Sequence, residues 1–236
     1  MAKKGLIKAA ALLLFIFFFG SCVGVSADIT IRKNGSGFIT LEYRISGDLE
    51  SLGKLDGNAR WLPVPAGRAD FERTVARIPS MRIASFSSKK RDGDLVNRVT
   101  LNFGDTAALL KFLDALGQGA SLSRENGRNV LVLDFGGGVG PGDSALGTTN
   151  AAPGTANAAL AELAAKTLTG YSLDLRFNLG TEGEIFLVDR NGGRRGTESL
   201  PAGWIVQGGK KTAFSAPMGD LLISAEPVRL EIHWPE

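Results

Sequence analysis

NGSGFITLEYRI, Asn34 to Ile45, carries two signals that together decide the fold. Asn34-Gly35 is a pair favoured in tight β-turns, where backbone conformations with φ > 0 are needed and glycine and asparagine reach them at low cost. The residues after it alternate, with Ile39, Leu41, Tyr43 and Ile45 on one parity and Thr40, Glu42 and Arg44 on the other. Successive side chains of a strand point to opposite faces, so this pattern buries one face and wets the other. A turn feeding a half-buried strand is one arm of a hairpin.

The same combination recurs. Asp92-Gly93, Asn126-Gly127, Asn191-Gly192 and Gly208-Gly209 each separate runs suited to strands, at 81–88 and 95–103, 120–124 and 129–135, 184–189 and beyond, and 203–207 and 211–215. YSLDLRFNL, Tyr171 to Leu179, alternates like the opening stretch, and 228–234 supplies a last strand. Helices are fewer. Residues 106–116 place Leu109, Phe112, Leu113 and Leu116 on one stripe, with Asp105 as N-cap and Gly117 as stop. Residues 157–168 are alanine-rich with Glu162 and Lys166 at i,i+4, and 70–78 and 218–223 are shorter candidates. Strands and helices do not alternate strictly, so the expected class is α+β: a hairpin-rich antiparallel sheet with two to four helices packed on it.

GGGVGPGDSALGTTNAAPGT, Gly136 to Thr155, has no lysine or arginine and reads as a flexible linker or loop. It separates a β-rich part, 28–135, from a helix and further strands, 156–236. The second part is small, and the expectation is that it completes the same domain.

The first 27 residues read differently. Lys3, Lys4 and Lys8 precede an apolar run from Ala9 to Phe19, followed by small residues, which is the pattern of an export signal. That run is about 16 Å of helix, roughly half a hydrocarbon core, so an uncleaved span ranks last among the alternatives. Two cleavage sites compete. Val25-Ser26-Ala27 suits an ordinary signal peptidase and would release a soluble secreted chain without Cys22. Phe19-Gly20-Ser21 before Cys22 resembles the lipobox of bacterial lipoproteins, in its loose spirochaete-type form, with Phe19 where leucine is usual. The resemblance implies a signal peptide over 1–21, acylation (diacylglycerol and palmitate-like chains) of Cys22, and a tether over 22–27 before a first strand at Asp28. Cys22 is the chain's one cysteine and lies three residues past the apolar run, so the lipoprotein reading leads.

Removing three leader lysines from 27 basic residues leaves 24 of each sign, so the totals supply no dominant basic field for nucleic acid. With a single cysteine, no disulfide forms within the chain, and stability rests on an ordinary core.

No constellation for chemistry stands out. The glycine run fits no G-x-G-x-x-G register, and GDSAL at 142–146 lacks the second glycine of a nucleophile elbow. His233 is the only histidine, and alternation with Ile232 and Trp234 places it on the wet face of its strand. DRNGGRRGTE at 189–198 has arginine where a calcium loop needs glycine. Asp92/Asp94 and Glu182/Glu184 read as solvated turn charges, and Lys89-Lys90-Arg91 as a hairpin tip able to touch anionic head groups. Trp61, with Arg60 and Arg68 around Pro63 and Pro65, is the candidate interaction surface.

The plan as a whole resembles uncharacterised bacterial envelope lipoproteins, the mycobacterial LppM type among them. The likeness is architectural, matches no functional residue, and implies no activity. The expectation is a non-enzymatic, membrane-anchored envelope lipoprotein without cofactor or metal. Its partners would be the membrane, through Cys22, and a membrane-proximal protein or lipid. A carrier of apolar ligands in a sheet-and-helix cavity is the alternative, and a hydrolase using scattered carboxylates ranks below it.

Overall fold

The computed structural model describes residues 23–45, 67–116, 119–135, 170–189, 192–195, 200–223 and 228–236. Cys22, Arg60, Trp61, the glycine-rich stretch 136–155 and the helix expected over 157–168 lie outside them.

The opening stretch forms a hairpin of β1 (Val23–Ile31) and β2 (Gly37–Ile45) in unbroken antiparallel register. The other hairpins follow the turn pairs: β3 (Met81–Arg91) with β4 (Asp94–Phe103), β5 (Gly119–Glu125) with β6 (Arg128–Phe135), β8 (Glu184–Val188) with β9 (Arg194–Arg195), and β10 (Ile205–Gln207) with β11 (Thr212–Pro217). The turns come in two forms. At Asp92-Gly93 and Asn126-Gly127 both residues have φ > 0, as a two-residue hairpin loop demands. At Asn34-Gly35 only the glycine does; the Gly35 N–H donates to the Arg32 carbonyl at 2.9 Å and the Arg32 N–H to the Ser36 carbonyl at 2.8 Å. That is the longer loop, a type I turn closed by a left-handed glycine.

The architecture is α+β as expected, hairpin-built sheet with helices packed on it, and the strands are arranged in a way that the sequence did not specify. The described residues form two sheets: seven strands in the order β10-β11-β7-β1-β2-β4-β3, with β7 at Ser172–Asn178, and five in the order β5-β6-β12-β8-β9, with β12 at Val228–Pro235. In addition, β1 pairs with β7 in parallel, Val25 opposite Leu173 through Thr30 opposite Asn178. The first strand starts at Val23 rather than Asp28, so residues 23–27 are sheet and not tether.

Helix α1 (Arg68–Val75) opens with the Asp70 carboxylate accepting from the Gly67 N–H at 3.1 Å. Helix α2 (Thr106–Ala115) is capped as its sequence implies, Asp105 accepting from the Ala108 N–H at 2.8 Å. The third, α3 (Met218–Ile223), follows β11 directly.

One hydrophobic cluster takes side chains from both sheets and the helices, and from both sides of the 136–155 stretch. Over β2 and β3 the seven-stranded sheet is covered by α1, whose buried Phe71 meets Tyr43 and Phe86 at ring distances of 6.0 and 6.3 Å. Towards β11 it is covered by the second sheet, where Phe135 stacks on Phe214 at 6.3 Å. Burial pushes the Tyr43 phenol well above its usual range. The opposite face of the seven-stranded sheet is polar.

Candidate functional site

Strand β1 lies in the interior of its sheet, flanked by β2 and β7. Its sequence, VGVSADITI, puts Val25, Ala27, Ile29 and Ile31 towards the core and Gly24, Ser26, Asp28 and Thr30 outward. Gly24 is a packing requirement: a Cβ there would sit 3.0 Å from Cδ1 of the buried Tyr171 ring. Of the peptidase-like residues Val25-Ser26-Ala27, Ala27 is buried in the core and Val25 packs against it. The residue before Val23 is Cys22.

At this end of the sheet, Arg44 on β2 donates from Nε to Asp94 Oδ2 at 2.7 Å, and Asp92 lies 3.8 Å away. The hydrogen bond to Asp94 holds the guanidinium further above its usual range. Asp94 is buried at 6 % exposure, so of the Asp92/Asp94 pair only Asp92 is a solvated turn charge. Arg44 satisfies the other. Lys89, Lys90 and Arg91, at the end of β3, are all exposed.

Across the middle of the outer face, Ser26, Asp28, Thr40, Glu42, Arg98, Asp174 and Arg176 line a shallow polar basin of about 360 Å³. Its charges answer one another across the ladder: Arg98 lies 3.9 Å from Glu42 and Arg176 3.4 Å from Asp28, each directly opposite in register. Ser172 donates to Asp174 at 2.7 Å, and the Thr40 and Thr100 hydroxyls meet at 3.3 Å. Paired acids and bases of this kind hold a sheet surface in water and leave little unbalanced charge for substrate.

His233 corrects the sequence reading. It points away from the core as its parity requires, yet is 7 % exposed. Phe186 meets it edge-on at 5.3 Å, Glu231 Oε2 lies 3.2 Å from Nε2, and Arg194 bonds Glu231 at 3.0 Å while stacking over Phe186 at 4.8 Å. The face is lined by apolar and aromatic side chains on the neighbouring strands, a feature that parity in one strand does not reveal.

Asp189 closes its own turn by accepting from the Gly193 N–H at 2.8 Å. Glu184 is paired with Arg128 at 2.8 Å. Arg68 is exposed and bonds Glu72 one helical turn on at 2.8 Å. No group of three or more metal-binding side chains gathers among the described residues, and no helix among them is long and apolar enough to cross a membrane.

No protein-family model matches the chain, and no curated protein does. Among solved structures it is similar to the folded domain of the LppM protein of Mycobacterium tuberculosis, determined by NMR, at 12 % identity over 92 % of each chain and a TM-score of 0.42.

Proposed function

We propose that this chain is a bacterial envelope lipoprotein, exported by residues 1–21, acylated on Cys22, and held beside the membrane in a non-enzymatic binding or structural role. The observation that carries this reading is where β1 begins. Cleavage after Ala27 would remove five of its nine residues, Val23 to Ala27. β2 would then lose its β1-side partner from Leu41 to Ile45, and β7 from Leu173 to Leu175, though β4 and β11 still pair with their other edges. A charged amino terminus would be left in the middle of a sheet. Each buried backbone group left without a partner costs about 1–3 kcal/mol. Cleavage before Cys22 leaves the strand whole.

Two or more acyl chains, each buried methylene contributing about 0.8 kcal/mol, suffice for stable anchoring. With β1 starting at the next residue, the domain would rest on the bilayer with no spacer. Its partners would then be membrane-proximal proteins or lipids, and the balanced charge argues against nucleic acid. The carrier reading has less support, because Phe71, Phe112, Phe135, Phe177 and Phe214 fill the described interior where its cavity would lie.

Intact mass of the processed protein from its native membrane tests the proposal. A chain beginning at Cys22 with an added acyl mass, absent from the Cys22→Ser variant, is the expected result. A mature N-terminus at Asp28 overturns it.

A further inference from the structure

Three asparagines precede a glycine in this chain: Asn34, Asn126 and Asn191. In such a pair the glycine nitrogen can attack the asparagine side-chain amide, and with no Cβ on the glycine the approach is little hindered. Asn191 lies outside the described residues. The other two pairs occupy turns of different form, and their surroundings differ in what they hold in place.

Asn34 is tied down. Its Oδ1 accepts from the Ser36 N–H at 3.1 Å and from the Ser36 hydroxyl at 2.8 Å. The nitrogen that would attack, on Gly35, donates to the Arg32 carbonyl at 2.9 Å. Both reacting groups are engaged, and these hydrogen bonds must break before they can meet.

Asn126 is not held in this way. It is exposed in the two-residue turn between β5 and β6, with φ of 52°, followed by Gly127 at 74°. Among the described residues neither its side chain nor the Gly127 N–H has a hydrogen-bond partner. A Cβ built on Gly127 would meet nothing within 4 Å, so the turn stands in open solvent.

We propose that Asn126 is a site of spontaneous deamidation, set apart from Asn34 by the hydrogen bonds it lacks. The Gly127 nitrogen gives up its proton and bonds to the Asn126 Cγ. The bond from Cγ to Nδ2 breaks, ammonia leaves, and a cyclic succinimide remains. Water then opens the ring at the side-chain carbonyl to give aspartate, or at the main-chain carbonyl to give isoaspartate. Water is the single co-reactant. The inference does not draw on the anchored reading.

The two products treat the hairpin differently. Aspartate tolerates φ > 0 much as asparagine does. Its charge would stand beside strand ends carrying Arg124 and Arg128, which pair with Glu236 at 3.2 Å and Glu184 at 2.8 Å. Isoaspartate lengthens the backbone within the turn, so Glu125 could no longer stand opposite Arg128. Strand β5 is outermost in its sheet and pairs only with β6, and its hold would loosen.

The test is to age the folded, processed protein in mildly alkaline buffer and follow its peptides by mass spectrometry, with enzymatic methylation marking isoaspartate. Each hydrogen bond that must first break slows attack severalfold, so Asn126 should lead Asn34 on the order of tenfold or more. In urea the two rates should converge. Ser36→Ala removes one bond at Asn34 and should speed that site severalfold while leaving Asn126 unchanged. Equal rates in the folded protein, or a lead for Asn34, would overturn the proposal. A lead for Asn126 that persists undiminished in urea would do the same, because it would come from the neighbours Lys33 and Glu125 and not from the fold.

Discussion

The two sheets use the same alternation and do opposite things with it. On the seven-stranded sheet, the residues pointing away from the core are Asp28, Thr40, Glu42, Arg98 and Arg176, joined across the ladder by ion pairs in water. On the five-stranded sheet the positions of the same parity include Val130, Val188 and His233, which are 3, 7 and 7 % exposed. Parity states which way a side chain points. Whether water is there depends on what the neighbouring strands carry, and for His233 that is Phe186 and Arg194. The polar sheet gains little from each surface pair, whereas the other depends on buried polar groups keeping their partners.

The largest effect should come from the strand that anchors the polar sheet. A chain beginning at Asp28 lacks the first five residues of β1, including Ala27 at 4 % exposure, and leaves the facing edges of both neighbouring strands unpaired along part of their length. It should show no cooperative thermal transition by circular dichroism, whereas a chain beginning at Val23 melts sharply. Equal melting of the two would mean that residues 23–27 contribute nothing to the fold, and the case against cleavage after Ala27 would go with it.

Next comes the junction between the sheets. Phe214 is 1 % exposed, stacks on Phe135 of the second sheet, and takes the edge of Trp204 at 5.7 Å. Phe214→Ala should cost about 3–5 kcal/mol in urea unfolding. Because one cluster contains both inner faces, hydrogen exchange should rise in both sheets together. Loss of protection confined to the seven-stranded sheet would show two separate cores.

How much of this was legible in sequence follows from the range of each signal. Turns are local, so Asn34-Gly35 and Asp92-Gly93 announced their hairpins, and Asp105 announced the start of α2. The parallel pairing of β1 with β7 joins Val25 to Leu173, and nothing local marks it. The division into two sheets is equally non-local, since each run alternates in the same way whichever sheet it joins. The start of β1 was hidden for another reason. VGVSA offers small residues that suit a peptidase, and the Tyr171 ring against Gly24 and the burial of Ala27, which give two of them a place in a strand, are visible only in the fold. At the candidate site, Cys22 was legible as a motif, while the start of β1 at the very next residue required the structure.

A smaller effect separates the sheets directly. Glu231 accepts two hydrogen bonds from Arg194, at 3.1 and 3.0 Å, and lies beside the buried His233. Glu231→Gln replaces the carboxylate with a neutral amide and should cost about 1–3 kcal/mol, the penalty for weakening the partners of partly buried polar groups. The loss should persist in high salt, because bulk ions screen buried groups weakly. A cost that vanishes with added salt would make this cluster a surface pair like those of the other sheet.

The smallest effect is expected on the polar face. Arg98 and Glu42 lie 3.9 Å apart with side chains 59 and 46 % exposed, so their attraction is set against high dielectric and the entropy of two long side chains. A double-mutant cycle of Arg98→Met and Glu42→Gln, read by urea unfolding, should give a coupling of about 0.2–1 kcal/mol that falls towards zero as salt is raised. A larger coupling that survives salt would mean that this face is shielded from water in the protein as it unfolds. It would then behave like the face around His233, and the contrast between the sheets would rest on residue type alone.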